Sequence, residues 1–488
     1  MDEKPKAPLP HLVFFPLPFQ GPVNSMFKLA ELFCLEGFGV TFVVTECIHR
    51  RLVTSSNIQF LRHSYPSFHL MALTDGLPND HPRNGDRFIE VFNSLKINTM
   101  PLLKDLLISG SFWQPVTCIV ADGLMGFAFD VAKETGIPIF YVRTIGPCTL
   151  WTFFCLPHLL DSGELPPLDT TNINADDMDR PVRGVPGTES FLRRRDLPRF
   201  STLGDTAYES LQLLMKEGEE VPKAHGLILN TFEELDGPLL SLLRATCPNT
   251  YAIGPLHAHV KNKRSKQTVT ESKCSSSSNL WPEDRSCLGW LDQQASKSVM
   301  YVSFGSIAIF SREKLMELWY GLVNSGVQFL WVIRPDSIIG ENWEKHIPAE
   351  LLEGTKQRGF IVGWAPQEEV IGHPAVGGFL THSGWNSTLE SIYAGVPMLC
   401  WPYFLDQQLN SRFVSEAWKV GLDMKDTCDR SIVEEMVRDL MDVRKEEFSR
   451  RAEELSELAR NCLIEGGSSS SNFQRLIMDI RQGGSHSS

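Results

Sequence analysis

The sequence is short of positive charge: 46 lysine and arginine residues against 59 acidic ones leave the 488-residue chain with a net charge of −13. A chain of that sign does not attract phosphate backbones or anionic lipid surfaces, so nucleic acid is not an expected partner. Long apolar runs are lacking too; none approaches the roughly 18 residues of a bilayer span, which predicts no stable membrane insertion. The start, MDEKPKAPLPHLVFF, has acidic residues and prolines where a secretory signal carries a basic stretch followed by a long apolar one. The expectation is a cytoplasmic protein. The 11 cysteines, an odd number scattered from Cys34 to Cys462, form no CxxC pair and no finger-like Cys/His spacing. They read as reduced thiols packing as small apolar residues, and no metal site is expected. GxGxxG is also absent, which leaves a dinucleotide-dependent dehydrogenase without its motif.

What is present is a rhythm of short apolar run, loop and helical pattern. Residues 11–16 read as a strand, Met26, Leu29, Ala30 and Phe33 follow at helical spacing, and Gly37 ends that helix. Further strands are predicted at 40–44, 118–121 and 137–142, with a helix over 127–135 closed by Gly136. Strands alternating with helices imply a parallel sheet covered on both faces. Residues 257–279, with Lys261, Lys263, Arg264 and Lys266 and then Ser275 to Ser278, look too poor in apolar surface to pack and read as an exposed linker. After it the rhythm restarts with SVMYVSFGS at 298–306, a helix over 312–325 and a strand over 329–333. The GGSSSS at 466–471 reads as a turn or hinge before a last short helix over 473–481. The predicted division is 1–256, an exposed linker 257–285, a second domain 286–465, and a C-terminal turn and helix 466–488 that packs back on the first domain. Two such α/β domains facing one another leave a cleft between strand ends, where ligands of open parallel sheets bind.

Residues 364–407, WAPQEEVIGHPAVGGFLTHSGWNSTLESIYAGVPMLCWPYFLDQ, carry the strongest signal. In length and fixed points this segment resembles the 44-residue signature box of plant secondary-product (family 1) UDP-dependent glycosyltransferases. FGS at 304–306, LNTFEELD at 229–236 and GP at 254–255 resemble the same family in the same order. The resemblance implies a GT-B fold, two Rossmann-like parallel-sheet domains facing across a cleft, with UDP-glucose as co-substrate and no cofactor. The residue types suit a nucleotide sugar. Trp364 offers an indole face to a uracil and Gln367 an amide to a ribose hydroxyl. The turn from Ser383 through Trp385, Asn386 and Ser387 into a helix presents N–H groups and a positive dipole end to a diphosphate. His382 and Ser306 add polar donors. The resemblance adds Ala365, Thr144 and Glu390 to the donor set, Glu390 on the ribose. It places Asp406 and Gln407 on the sugar hydroxyls, with Gln407 marking the glucose-using form.

The acceptor half departs from the family. Its pattern Gln-Gly-His, at the first strand-to-helix turn, supplies the histidine that acts as general base, and an aspartate after a later strand holds that imidazole. Here PFQGPVNSM at 18–26 keeps the register on both sides, but Pro22 occupies the histidine's position; Asp122, ending CIVAD, matches the aspartate. A proline nitrogen in a peptide bond cannot accept a proton, whereas imidazole does so near pH 7. His11 and His158 are the other histidines weighed as a base. Arg193, Arg194, Arg195 and Asp196 resemble a subgroup acting on small terpenoid, iridoid or cyanogenic acceptors, or else form a solvated surface run. The loops near 75–95 and 180–205 are expected to line the acceptor. The reading is a monomeric inverting O-glucosyltransferase with a small-molecule acceptor; the alternative is a catalytically weak UDP-sugar-binding homologue with a regulatory or scaffold role.

Overall fold

The computed structural model describes residues 9–55, 58–167, 175–266, 280–306, 308–334, 337, 348–425 and 428–483. They form two compact units, each built on its own all-parallel sheet. The first unit comprises Met1–Phe154, Glu209–Trp281 and Cys462–Ser488. Its strands are β1 (His11–Phe15), β2 (Gly39–Thr45), β3 (Phe68–Leu73), β4 (Cys118–Asp122), β5 (Ile139–Arg143), β6 (Gly226–Leu229) and β7 (Thr250–Ala252), arranged β3-β2-β1-β4-β5-β6-β7. Alternate residues of each strand enter different cores: Leu12 and Phe14 join one face, Val13 and Phe15 the other. That is why β1 is apolar at four consecutive positions, Leu12 to Phe15, rather than at every second one.

The second unit comprises Cys155–Tyr208 and Pro282–Asn461. Its strands are β8 (Val299–Ser303), β9 (Gln328–Val332), β10 (Gly359–Val362), β11 (Val376–Thr381), β12 (Met398–Cys400) and β13 (Gly421–Asp423), in the order β10-β9-β8-β11-β12-β13. In both sheets the first strand sits between the second and the fourth. Chain direction across the sheet reverses there, and the loops leaving the two central strands diverge, opening a crevice at their carboxyl ends. Among the described residues no helix is long and apolar enough to cross a membrane.

Three expectations need correction. Residues 155–208 pack with the second sheet, so 1–256 is not one unit. Leu256–Lys266 is a helix rather than an exposed linker: Leu256, His257, Ala258, His259 and Val260 are buried, and Lys263 pairs with Glu36 at 2.6 Å. The rest of that stretch, 267–279, lies outside the described residues. The basic side chains that suggested a linker lie in the second half of this helix, after its buried start. The serines after Gly467 are likewise not a hinge; they open the helix Ser468–Gly483, and the Ser469 hydroxyl donates to the Gly254 carbonyl at 2.6 Å.

This last helix is part of the first unit's core. Phe473, Leu476, Ile477 and Ile480 lie in one cluster with Phe33 and Tyr251, and Phe473 packs edge-on to Phe33 with ring centroids 5.6 Å apart. Removing a fully buried phenylalanine ring costs about 3–5 kcal/mol. Phe473→Ala should therefore lower the denaturant midpoint of the full chain's unfolding by a margin of that size; an unchanged midpoint would show that the helix adds nothing to the core.

Candidate active site

At the switch point of the second sheet the carboxyl ends of β8 and β11 lie side by side, Ser303 in register with Thr381. The chain continues into Phe304-Gly305-Ser306 from one and His382-Ser383-Gly384 from the other. His382 is held between the two backbones. A Cβ on Gly305 would fall 2.6 Å from its ring, and one on Gly384 2.4 Å from Nε2. Gly305 also has φ +68°. Both positions therefore require glycine, for space and in one case for conformation. Burial and then the charge of Arg334 lower the His382 pKa to about 4, so the imidazole is a neutral donor or acceptor and not a cation at pH 7. Arg334 ties the β8 turn down, donating to the carbonyls of Ser306 (2.5 Å) and Ala308 (2.8 Å).

The helix Trp385–Ala394 starts at Gly384 with no side-chain cap and no acidic residue in its first turn. Its positive end is thus left for an anion. Ser383, at φ +64°, makes the turn into it, and Asn410 holds the Ser383 carbonyl at 2.9 Å. Ser387 and Glu390 face Gln367: its amide donates to Ser387 Oγ (2.9 Å) and Glu390 Oε2 (2.7 Å), while the Tyr301 hydroxyl donates to its carbonyl (3.3 Å). Gln367 is therefore engaged within the chain, where it fixes the carboxylate of Glu390. Trp364 is half-buried beside it, as a stacking surface must be, and Ala365 is buried. Trp385 is in the core, its ring 6.1 Å from that of Trp418. Asn386 is half-buried.

The end of the signature segment is stapled by Gln407. Its Oε1 accepts the N–H groups of Tyr403 and Phe404, both at 2.8 Å, so the amide nitrogen points away from the loop it holds. Asp406 accepts from Asn410 at 3.1 Å and stays half-exposed. Ser306, Trp364, Gln367, His382, Asn386, Ser387, Asp406 and Gln407 are thus on loops or helix starts of the second unit, and Glu390 is in the middle of the helix Trp385–Ala394. Thr144 is on the first, half-buried after β5.

The first sheet repeats the arrangement with different chemistry. At its switch point β1 pairs with β4, Phe15 in register with Ala121. β1 leads to the helix Gln20–Leu35, in which Pro22 is the third residue, and β4 ends on Asp122. Asp122 is fully buried: its Oδ1 accepts from the Leu124 N–H (3.0 Å) and from Arg143 Nη1 (3.2 Å), and its Oδ2 has no hydrogen-bond partner. Burial raises its pKa, with Arg143 and the Leu124 N–H opposing. Arginine has taken one oxygen of Asp122, and the other is buried as well, with the Thr144 hydroxyl beside the carboxylate. Behind Arg143 lies Glu217, also buried, with Arg143 Nε 2.5 Å from its Oε1.

Neither alternative histidine fits a base. His11 is fully buried, between the Gln114 carbonyl and the Thr41 hydroxyl, and burial lowers its pKa to about 4. His158 is exposed on the helix Pro147–Asp161. The arginine run is neither a solvated patch nor an open acceptor contact. Arg195 pairs with Asp179 at 2.6 Å, Arg194 with Asp177, and Arg193 with Asp196 at 3.2 Å. Burial opposes ionisation of Asp196, but Lys425 and Arg193 outweigh it and hold that carboxyl below its usual range. The loop from 75 is organised from within, Arg83 gripping Asp75 at 2.7 and 2.9 Å.

Arg143 and Glu217 escaped the sequence reading, although the signals existed. In β5 the period of two puts Arg143 on the face of Ile139 and Tyr141, which is core. In the helix Ala207–Glu220 buried positions recur at 207, 210, 211 and 214, and the helical period continues to 217.

Comparisons with known proteins agree with this geometry along the whole chain. The family model described as UDP-glucoronosyl and UDP-glucosyl transferase matches residues 244–461. A 7-deoxyloganetic acid glucosyltransferase of Catharanthus roseus is 52% identical over 477 residues, 97% of each chain. A myricetin 3-O-rhamnoside 1,2-glucosyltransferase of Crocosmia x crocosmiiflora is 44% identical over 96% of each. Among solved structures, Os79 from O. sativa in complex with UDP superposes with a TM-score of 0.78 at 26% identity, covering 96% of this chain and 100% of that one. Two parallel-sheet α/β units, a donor-type switch point and relatives of this closeness make the conclusion plain: the chain belongs to the UDP-glucoronosyl and UDP-glucosyl transferase family and has the GT-B fold.

Proposed function

We propose that this glucosyltransferase transfers glucose from UDP-glucose, with inversion, to a small acidic plant metabolite such as an iridoid acid or an activated enol or hemiacetal. The observation that carries the choice of acceptor is Pro22 at the same end of the sheet as Asp122. With the imidazole gone, the group left to receive the acceptor's proton is a carboxylate, a weaker base, so the acceptor must release its proton readily. Carboxylic acids, with pKa near ~4, are ionised at pH 7, a phenol near ~10 to about one part in a thousand, and an aliphatic alcohol hardly at all. The relative that is 52% identical acts, by its name, on 7-deoxyloganetic acid, which supports the same choice. Its identity and its enzyme name also favour catalysis over a binding-only role.

In this reading the uracil stacks on Trp364 and Glu390 takes the ribose, held in place by Gln367. The start of the helix Trp385–Ala394, with Ser306 and neutral His382, binds the diphosphate. Asp406 and Gln407 address the glucose. The leaving UDP is stabilised by N–H groups already in place, which costs no reorganisation when the bond breaks. The protein acts as a cytoplasmic monomer, with neither metal nor cofactor in this scheme.

Two substitutions test the reading. Trp364→Ala should weaken UDP binding by about 1–3 kcal/mol, the range for a base stacked on an aromatic ring, as read by calorimetry; unchanged affinity would place the indole in the core alone. Pro22→His should raise turnover of phenols and alcohols by about tenfold or more and leave carboxylate acceptors nearly unchanged, because only the former need a proton removed in the transition state. Rapid turnover of a simple alcohol by the wild type at pH 7, with Pro22→His neutral or harmful, would overturn the proposal.

A further inference from the structure

Three ionisable side chains sit at the carboxyl end of the first sheet, cut off from solvent: Asp122 after β4, Arg143 at the end of β5 and Glu217 on the helix Ala207–Glu220. One cation faces two acids. Arg143 Nη1 donates to Asp122 Oδ1 at 3.2 Å. Its Nε lies 2.5 Å from Glu217 Oε1 without its N–H directed at the oxygen, so the second contact is an ion pair and not a hydrogen bond. The arrangement is built for this placement. A Cβ on Gly123 would strike Arg143 Cδ at 2.4 Å, so only glycine lets the guanidinium lie across the turn after Asp122. With both acids ionised the cluster has an excess negative charge in a dry site, which favours retention of one proton. Burial indeed pushes Glu217 up to about 7, with Arg143 opposing and Asp122 adding to the rise. The remaining groups around the cluster are Glu220, paired with Lys216 at 3.1 Å on the same helix, Asp130 and Tyr141 from the neighbouring elements, and the Thr144 hydroxyl beside Asp122.

We infer that Glu217 is a positioning residue for proton transfer: by occupying the Nε side of Arg143 it keeps Asp122 basic enough to take the acceptor's proton where the family's imidazole is missing. This rests on reading Asp122 as the proton's destination in the glucosyl transfer. An arginine whose charge fell on Asp122 alone would make it a poor base, since a neighbouring cation favours the ionised carboxylate. Sharing the cation with a second carboxylate restores proton affinity, and the shared proton belongs to the pair. Arg143 and the Leu124 N–H also settle which oxygen works: both bond Oδ1 and leave Oδ2 to act. In the step itself the half-exposed Thr144 hydroxyl beside Asp122 takes the acceptor's O–H proton as it gives its own to the buried carboxylate. The acceptor oxygen bonds to the anomeric carbon of glucose, and the bond from that carbon to the UDP oxygen breaks, its electron pair leaving with UDP.

The test is the pH profile of kcat/KM on the full chain with UDP-glucose and a phenol as acceptor. Wild type should lose activity as pH falls through about 7, where the cluster takes up its proton. Glu217→Gln removes the competing negative charge, so Asp122 is deprotonated to lower pH but is a weaker base. The acid limb should move down by about one unit or more and the rate above pH 8 should fall several-fold, so that the two profiles cross. Glu217→Asp, which keeps the charge, should hold the limb near neutral pH. A residue that merely supported the fold would change the rate at every pH and leave the limb in place, and that result would overturn the inference. Infrared spectroscopy of the wild type tests it without a variant: a buried carboxylic-acid band should bleach as pH rises, in step with the kcat/KM limb. Its absence, or bleaching out of step, would overturn it equally. If the wild type transferred glucose to no acceptor at any pH, the proposed function itself would fail; transfer with an unmoved limb would sink this inference alone.

Discussion

The pairing of the first and fourth strands of each sheet governs where nearly all of the chemistry lies. Parallel register sets Phe15 beside Ala121 in one unit and Ser303 beside Thr381 in the other. Residues a few positions beyond each of these strands are then brought together, however far apart in sequence. That is how Pro22 and Asp122, 100 positions apart in the chain, come to the same end of one sheet, and how Gly305 and His382 meet at the same end of another. Parallel strands need long crossovers, and the crossovers cover both faces, so the middles of these strands are mostly apolar. The residues assigned to chemistry, Asp122 among them, stand at or beyond the carboxyl ends.

The same topology supports two kinds of electrostatics. At the second switch point the ligand-facing groups are N–H donors, a neutral imidazole and side-chain amides, many already committed to one another. Gln367 bridges Ser387, Glu390 and Tyr301, and Gln407 holds the backbone of 403 and 404. Such a site is rigid before anything binds, the condition under which fixed dipoles stabilise developing charge most effectively. At the first switch point the groups carry full charges in a dry environment, and one proton more or less decides the balance.

Most of the fold could be read from the sequence because its signals are local and repeated. The strands around 11–16, 118–121 and 329–333 and the helix Arg312–Ser325 announced themselves by apolar runs and by helical period. The donor segment was legible because its 44 residues are contiguous. What failed was whatever depends on partners remote in sequence. The helix Leu256–Lys266 looked like a linker because its basic residues follow directly on its buried start, and side chains that give Leu256 and Val260 a core, Phe33 and Phe473 among them, are remote in sequence. The arginines at 193–195 looked solvated because Asp177, Asp179 and Lys425 were not visible as neighbours. LNTFEELD and GP, recognisable as family phrases, are structural: the Thr231 hydroxyl bonds buried Asp236 at 2.5 Å, and Asn230 and Gly254 close the same corner.

Pro22 shows how a catalytic position can change without disturbing the fold. The first four N–H groups of a helix have no intrahelical partner, so a proline third in the helix Gln20–Leu35 forfeits no helical bond, and its fixed φ suits the first turn. The cost is chemical only: a positioned general base is worth about 10²- to 10⁴-fold, or roughly 3–5 kcal/mol of barrier. A loss of that size is tolerable if the acceptor ionises easily or if another group takes the proton. Asp122 is already in place for the second, but an aspartate beside an unshared arginine would be too weak a base to help. Glu217 changes that, since it takes up part of the same guanidinium. The chemistry of the acceptor half is then decided less by the residue that is missing than by how the one buried cation is divided between two acids.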